Sequence, residues 1–226
     1  VSTRKPRDSV KKARLAAKEF KTDNSVEFLA PTPNLASLRT LVSHCSWSRH
    51  LYKRNQFALK VVDIGTAFLN AEVGEQEYFI RPPPDVHKPG VLWRLRRALY
   101  GLRSAPQLWS DFLSDKLLSF GFTRCDDDPS LYVLNRDDPS NMLVLLVHVD
   151  DILMSGPSTS ISNVIDQLEG LFLLTKGMTL LNDGDTCTML GRKIVRTSTG
   201  FTVTSDVSLI DKSLKDLGLE GAKSAP

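Results

Sequence analysis

Two adjacent aspartates, Asp150 and Asp151, interrupt one of the most apolar stretches of the chain, Met142-Leu-Val-Leu-Leu-Val-His-Val-Asp-Asp-Ile-Leu-Met-Ser-Gly156. Ionised carboxylates in apolar surroundings cost several kcal/mol each unless positive charge lies against them. The pattern therefore asks for a counter-ion, and a bound metal is the simplest one. Aliphatic residues flank the pair on both sides and Gly156-Pro157 closes the run, so the segment reads as two short buried strands meeting at Asp150-Asp151. Hard oxygen ligands at a hairpin tip are accessible to Mg²⁺ and a phosphate group. The competing reading is a plain hairpin turn, because Asp is a common turn residue. The other acidic runs, Asp126-Asp127-Asp128 and Asp137-Asp138, stand beside Pro129 and Pro139 and read as solvated loops.

Asp63 has the same unusual context, a carboxylate at the end of the apolar strand Phe57-Ala-Leu-Lys-Val-Val-Asp-Ile64. Placed beside the 142–154 hairpin, that strand brings three carboxylates together. Two divalent ions about 3.5 to 4 Å apart would neutralise such a trio and clamp the oxygens of an in-line phosphoryl displacement.

The remaining pattern fits an α+β chain. Asn34 or Ser37 caps a helix through Leu38, Leu41 and Val42; Thr66 to Val73 is a helical turn or bend; Tyr78–Ile80 and Val91–Leu95 are strands. Ser104 caps a helix carrying Leu108, Trp109, Phe112, Leu113, Leu117 and Phe120, which Gly121 ends. Strands follow at Leu131–Leu134 and 142–154, then an amphipathic helix over Ser160–Leu174. Strands near Met189–Val195 and Phe201–Thr204 and a helix over about Ser208–Leu217 complete the chain. Residues 11–20 suit either a helix or a strand. The order strand, helix, strand-strand, helix, strand is a split βαβ arrangement, an antiparallel sheet with helices on one face.

Charge is unevenly distributed. Residues 1–110 hold 19 Lys and Arg against 9 Asp and Glu, residues 111–226 hold 10 against 17, and the stretch from Phe28 to Val62 has no acid. Basic clusters at Arg4–Lys21, Arg39–Lys60 and Lys88–Arg103 suggest a polyanion, nucleic acid being the natural candidate. The three cysteines show no Cys-x-x-Cys spacing and read as reduced, structural thiols of an intracellular protein. The longest apolar run falls far short of a membrane span, so no membrane partner is expected. The start at Val1 suggests a piece of a longer polypeptide.

An ordered series of motifs resembles the reverse transcriptase domain of copia-type LTR retrotransposons (Pseudoviridae). It runs through Lys12-Ala-Arg-Leu-Ala-Ala-Lys-Glu-Phe20, Asp63-Ile-Gly-Thr-Ala-Phe-Leu-Asn70, Tyr78-Phe-Ile-Arg-Pro-Pro-Pro84 and Trp93-Arg-Leu-Arg-Arg-Ala-Leu-Tyr-Gly-Leu-Arg-Ser-Ala-Pro-Gln-Leu-Trp109. Gly121-Phe122, Asp128-Pro129, His148-Val-Asp-Asp151, Leu190-Gly191 and Ser224-Ala225-Pro226 continue it. The resemblance implies one reverse transcriptase domain over 1–226, with fingers at about 1–38 and 71–104, palm at 39–70 and 105–196, and the start of a thumb at 197–226. It implies RNA-directed DNA polymerase activity with Asp63, Asp150 and Asp151 holding two Mg²⁺ ions.

Further roles follow from the same resemblance. Arg14, and more weakly Lys12, would touch the incoming triphosphate. Phe68 would pack under the deoxyribose and exclude a 2′-hydroxyl, and Tyr100, Gly101 and Arg103 would line the nucleotide and template side. Implied partners are an RNA template, a DNA primer or template, dNTPs and the rest of a polyprotein, including integrase and RNase H segments outside these residues. The implied location is cytoplasmic, in a virus-like particle, or nuclear. The chain departs from the family pattern at His148 (usually Tyr), Gly65 (Lys), Ala71 (Gly) and Glu19 (Gly). These departures keep open a catalytically silent copy that still binds nucleic acid. A non-enzymatic interaction domain, with its acids in turns, is the reading from another class.

Overall fold

The computed structural model describes residues 15–20, 28–52, 57–175, 177–205, 207–219 and 221–222. Regular elements follow in the order α1 (Leu35–Leu51), β1 (Phe57–Ile64), β2 (Tyr78–Ile80), β3 (Trp93–Leu95), α2 (Ala105–Ser119), β4 (Thr123–Arg124), β5 (Leu131–Leu134) and β6 (Leu143–His148). Then come β7 (Asp151–Pro157), α3 (Ser158–Glu169), β8 (Leu174–Thr175), β9 (Thr179–Leu180), β10 (Thr186–Met189), β11 (Arg192–Thr197), β12 (Gly200–Ser205) and α4 (Val207–Asp216). Short 3₁₀ turns stand at Ala67–Asn70 and Pro84–Val86. No helix among the described residues is long and apolar enough to cross a membrane.

Two compact units divide the chain, one of residues 1–29 and 68–109, the other of 30–67 and 110–226. In the first, β2 and β3 form an antiparallel pair with Tyr78 opposite Leu95, and the Tyr78 and Ser104 hydroxyls are 2.7 Å apart. The backbone returns beside Ala71, whose carbonyl accepts the Ala98 N–H.

The second unit is built on an antiparallel sheet in the order β4-β5-β6-β7-β1-β8, with β9 also paired to β1. Its central run β6-β7-β1-β8, connected through α2 and α3, is the split βαβ arrangement of a polymerase palm. Because strand side chains alternate, β1 has two faces. Ala58, Val62 and Ile64 share one with Leu145, Ile152 and Met154, all buried. Phe57 and Leu59 lie on the other with Leu153 and Leu146, and α1 covers them with Leu38, Leu41, Val42 and Cys45. Each leucine here is 0 % exposed, so truncating Leu59 to Ala would cost roughly 2 to 5 kcal/mol.

Asn34 caps α1, its side-chain oxygen accepting the Ser37 N–H at 2.8 Å. Gly177 lies so close to β1 that a Cβ there would fall 1.4 Å from the Val61 carbonyl oxygen, which leaves room only for glycine. Several expectations need correction. The single strand expected near Met189–Val195 is a hairpin, β10 and β11, turned at Leu190-Gly191 with φ of 52° and 65°. Two consecutive left-handed residues make the primed turn that suits tight hairpins. The helix expected through Leu174 stops at Glu169, before Gly170, because Leu174 and Thr175 pair with Ile64 and Asp63. The strand expected from Val91 starts at Trp93. Residues 15–20 have no regular structure, and 11–14 lie outside the described residues.

Asp128 is the main surprise in the loops, being 7 % exposed rather than solvated. Its carboxylate accepts the Ser130 N–H at 3.0 Å and hydroxyl at 2.6 Å, the Asn34 amide at 3.3 Å, and a short bond from the Ser37 hydroxyl. The acid thus ties the start of α1 to the turn before β5. Asp126, Asp127, Asp137 and Asp138 are exposed.

Candidate active site

On the α1 face of the sheet, three neighbouring strands change character at one level. Strand β1 reads Phe57, Leu59, Val61 and then Asp63; β7 reads Ser155, Leu153 and then Asp151; β6 reads Val144, Leu146 and then His148. The register sets His148 opposite Asp151, Asp151 opposite Asp63, and Asp63 opposite Thr175. Four polar side chains from β6, β7, β1 and β8 therefore form one row, where the apolar cover of α1 ends.

The Ile64 N–H donates to the Asp150 carbonyl at 2.8 Å, tying the hairpin turn to the end of β1. That bond makes Asp63 and Asp151 a non-hydrogen-bonded pair, the kind in which opposed side chains approach most closely. Like charges directly opposite each other are destabilising. The turn itself places Val149 at φ 56°, a left-handed conformation that is unusual for a β-branched residue. Strain of this kind collects at functional sites.

Electrostatics follow from the row. Burial, and then the charges of Asp150 and Asp63, push the Asp151 carboxyl above its ordinary pKa, while His148 acts in the opposite direction. The Thr175 hydroxyl donates to Asp63 Oδ2 at 2.8 Å and fixes that carboxylate's orientation. The donor set consists of hard oxygens with accumulated negative charge, which fits Mg²⁺. The backbone brings the three aspartates to one corner of the sheet. Their side chains do not close into a ligand shell: among the described residues no three His, Cys, Asp or Glu groups gather as a metal site.

Other expected site residues lie in the first unit. The Phe68 and Tyr100 ring centroids are 4.8 Å apart. The Tyr100 carbonyl accepts the Ala17 N–H at 2.7 Å, and the Arg103 N–H donates to Glu19 Oε2 at 2.7 Å. Gly101 has φ 89°, and a Cβ on it would meet the Ala17 carbonyl oxygen at 2.0 Å. The close approach that Gly101 permits is thus to its own chain. Lys12 and Arg14 lie outside the described residues. Sequence reasoning missed Thr175 as Asp63's partner, and nothing in the local pattern signals it.

A split βαβ sheet with aspartates at the β1 end and the β6–β7 turn is the layout of a nucleic-acid polymerase palm. A family model described as reverse transcriptase (RNA-dependent DNA polymerase) matches residues 1–225, and the chain belongs to that family. Its relatives are Pol polyproteins of copia-type retrotransposons. The Pol polyprotein from transposon RE1 of Arabidopsis thaliana is 31 % identical over 167 residues, 71 % of this chain and 11 % of that protein. That from transposon TNT 1-94 of Nicotiana tabacum is 28 % identical over 218 residues, 94 % of this chain and 15 % of that one. A putative transposon Ty5-1 protein of Saccharomyces cerevisiae is 33 % identical over 141 residues, 62 % of this chain and 44 % of its own length. The chain thus spans a small part of the plant relatives' length. Among solved structures, telomerase from Candida albicans aligns with a TM-score of 0.44 at 11 % identity, over 83 % of this chain and 39 % of that one.

Proposed function

We propose that this chain catalyses RNA-directed DNA synthesis, transferring a nucleotide from a dNTP to a primer 3′-hydroxyl on an RNA or DNA template. The observation that carries the reading is the direct cross-strand opposition of Asp63 and Asp151 with Asp150 in the adjoining turn. A fold gains nothing from facing two carboxylates across neighbouring strands unless a cation joins them. Asp63, Asp150 and Asp151 are the residues that would hold two Mg²⁺ ions. When bound, such ions supply Lewis-acid charge to the attacking hydroxyl and to the phosphates.

The chain's own residues supply positioning. Thr175 holds Asp63 in one orientation, and the ladder bond from Ile64 fixes the turn that carries Asp150. In the first unit, Phe68 with Tyr100 against it is the proposed barrier to a ribose 2′-hydroxyl. Gly101 and Arg103 are assigned to the nucleotide and template side, and Arg14 and Lys12 to the triphosphate, for which guanidinium geometry is well suited. On this reading the chain works within a polyprotein that also carries integrase and RNase H segments, in a cytoplasmic virus-like particle or the nucleus.

The test is primer extension by the purified chain with Mg²⁺ on RNA and DNA templates. Wild type should incorporate dNTPs, and Asp150→Asn should lose incorporation by three orders of magnitude or more while its circular dichroism is unchanged. Retained activity in that variant overturns the metal assignment. Salt-sensitive nucleic-acid binding without any incorporation by wild type would assign the chain as a silent copy.

A further inference from the structure

A second feature of the larger unit reverses the electrostatic logic of the aspartates. Arg49, near the end of α1, and Arg196, on β11, line one concavity of about 390 Å³ with Ser46, His50, Ser198, Thr199 and Gly200. Arg49 donates to the Phe57 carbonyl, and Arg196 to the Thr197 and Gly200 carbonyls, with its guanidinium 5.1 Å from the Phe201 ring. Arg196 is 8 % exposed, and its Nε is buried without a hydrogen-bond partner. Neither guanidinium is within ion-pair distance of a described carboxylate. Asp183 favours the charge on Arg49 only from farther off, whereas burial and then the Arg196 charge lower the Arg49 pKa. Two like-charged guanidiniums that share a pocket without an acid between them call for an anion.

The concavity does not stand alone. Ser46, His50 and Thr199 also line a neighbouring hollow with Ser43 and Trp47, and these two in turn border a third with Arg39, Thr40 and His44. The result is a shallow channel along the outer side of α1, a helix with no acidic residue. Trp47 projects into solvent at 64 % exposure, its ring centroid 6.4 Å from that of His50. Ten residues separate Arg39 from Arg49, about 15 Å of helix, or roughly four phosphates at the ~3.4 Å axial spacing of a stacked strand. Basic side chains, hydroxyls and an exposed aromatic ring along a groove are the means by which proteins hold single strands.

We propose that this channel binds a single-stranded nucleic acid, with a backbone phosphate between Arg49 and Arg196 and a base stacked on Trp47. The Arg49–Arg196 concavity lies at the Phe57 end of β1, where Arg49 donates to the Phe57 carbonyl, roughly 20 Å of strand from Asp63. It is therefore a contact separate from the aspartate corner, and it does not rest on the polymerase reading.

The experiment measures anisotropy of a fluorescent oligo-dT 20-mer with the full chain in EDTA across a salt series. Trp47→Ala and Arg39→Gln alter only exposed side chains, with folding checked by circular dichroism. Trp47→Ala should weaken binding about fivefold or more, since a stacked base contributes about 1 to 3 kcal/mol. Arg39→Gln should lower the slope of log affinity against log salt by about 0.7, the value for one phosphate contact on a single strand. Wild-type affinity and slope in both variants overturn the proposal. So does displacement of the oligonucleotide by millimolar inorganic phosphate together with an unaffected Trp47→Ala, which would mark a free-phosphate pocket instead. If wild type binds the oligonucleotide with these variant effects but incorporates no nucleotide, the polymerase reading fails and the channel result stands.

Discussion

Asp128 and Asp151 are both carboxylates drawn into the larger unit, and the protein treats them in opposite ways. Burial works to raise the pKa of Asp128, but hydrogen bonds from Ser130, Ser37 and Asn34 outweigh it and hold the carboxyl below its ordinary range. Asp151 receives no such set of donors and faces two further carboxylates, so its pKa is driven up. An acid that serves architecture is satisfied from within the chain. One left in deficit at the edge of a core marks where something from outside is meant to bind.

Substitutions can break that contrast. The largest effect is expected at Asp151→Asn, which should lose incorporation by orders of magnitude while metal-free thermal unfolding shows an unchanged or higher Tm, since a like charge has been removed. A clear fall in Tm would mean that Asp151 is a structural acid like Asp128. Asp128→Ala should do the reverse. It strands four donor groups, on Ser130, Asn34 and Ser37, and should cost about 3 kcal/mol or more in urea unfolding, because hydrogen bonds to charged groups contribute roughly 1.5 to 3 kcal/mol each. Nucleotide incorporation per folded molecule should persist.

A smaller effect is expected at Thr175→Val, which keeps the shape and removes only the bond to Asp63. Partners of metal-ligating groups typically contribute about 10- to 100-fold, so the Mg²⁺ concentration for half-maximal incorporation should rise by about tenfold. No change would show that Asp63 needs no orienting partner. The smallest effect is on pH dependence. Because the folded pKa of Asp128 lies below its unfolded value of about 3.9, its contribution is complete above that pH and is lost as pH falls through the folded value. The stability gap between wild type and Asp128→Asn should therefore be constant near neutrality and shrink below about pH 4. A gap that stays constant to pH 2 would remove ionisation from the explanation.

The same pair shows what a sequence can reveal. Asp150 and Asp151 were conspicuous because their neighbours in the chain are apolar, and Asp63 because it ends a strand of the same kind. Continuous apolar runs along β1, β6 and β7 make the sheet legible for the same local reason. Asp128 looked like a loop acid because the donor that buries it, Ser37, lies 91 residues away. Thr175 was invisible because β8 is a two-residue strand whose place comes from pairing with β1, not from its own propensity. The hairpin at Leu190-Gly191 reads as one strand in the sequence because Met189-Leu190 and Ile194-Val195 are apolar on either side of it and the turn lacks the Asn-Gly or Asp-Gly pair that marks a tight hairpin. Local patterning discloses elements and exposes charges in the wrong surroundings, whereas the partners that satisfy or orient those charges come from distant chain.

The two-residue turn between His148 and Asp151 has a consequence for how such genes decay. A one-residue slip of β7 against β1 and β6 would reverse the facing of its side chains and take Asp151 out of the row that Asp63 and His148 occupy. A three-nucleotide insertion that leaves the reading frame open but forces such a slip would remove the site while the chain stays full length. Whether a copy of this element is intact has to be judged by the spacing at that hairpin as well as by the length of its open frame.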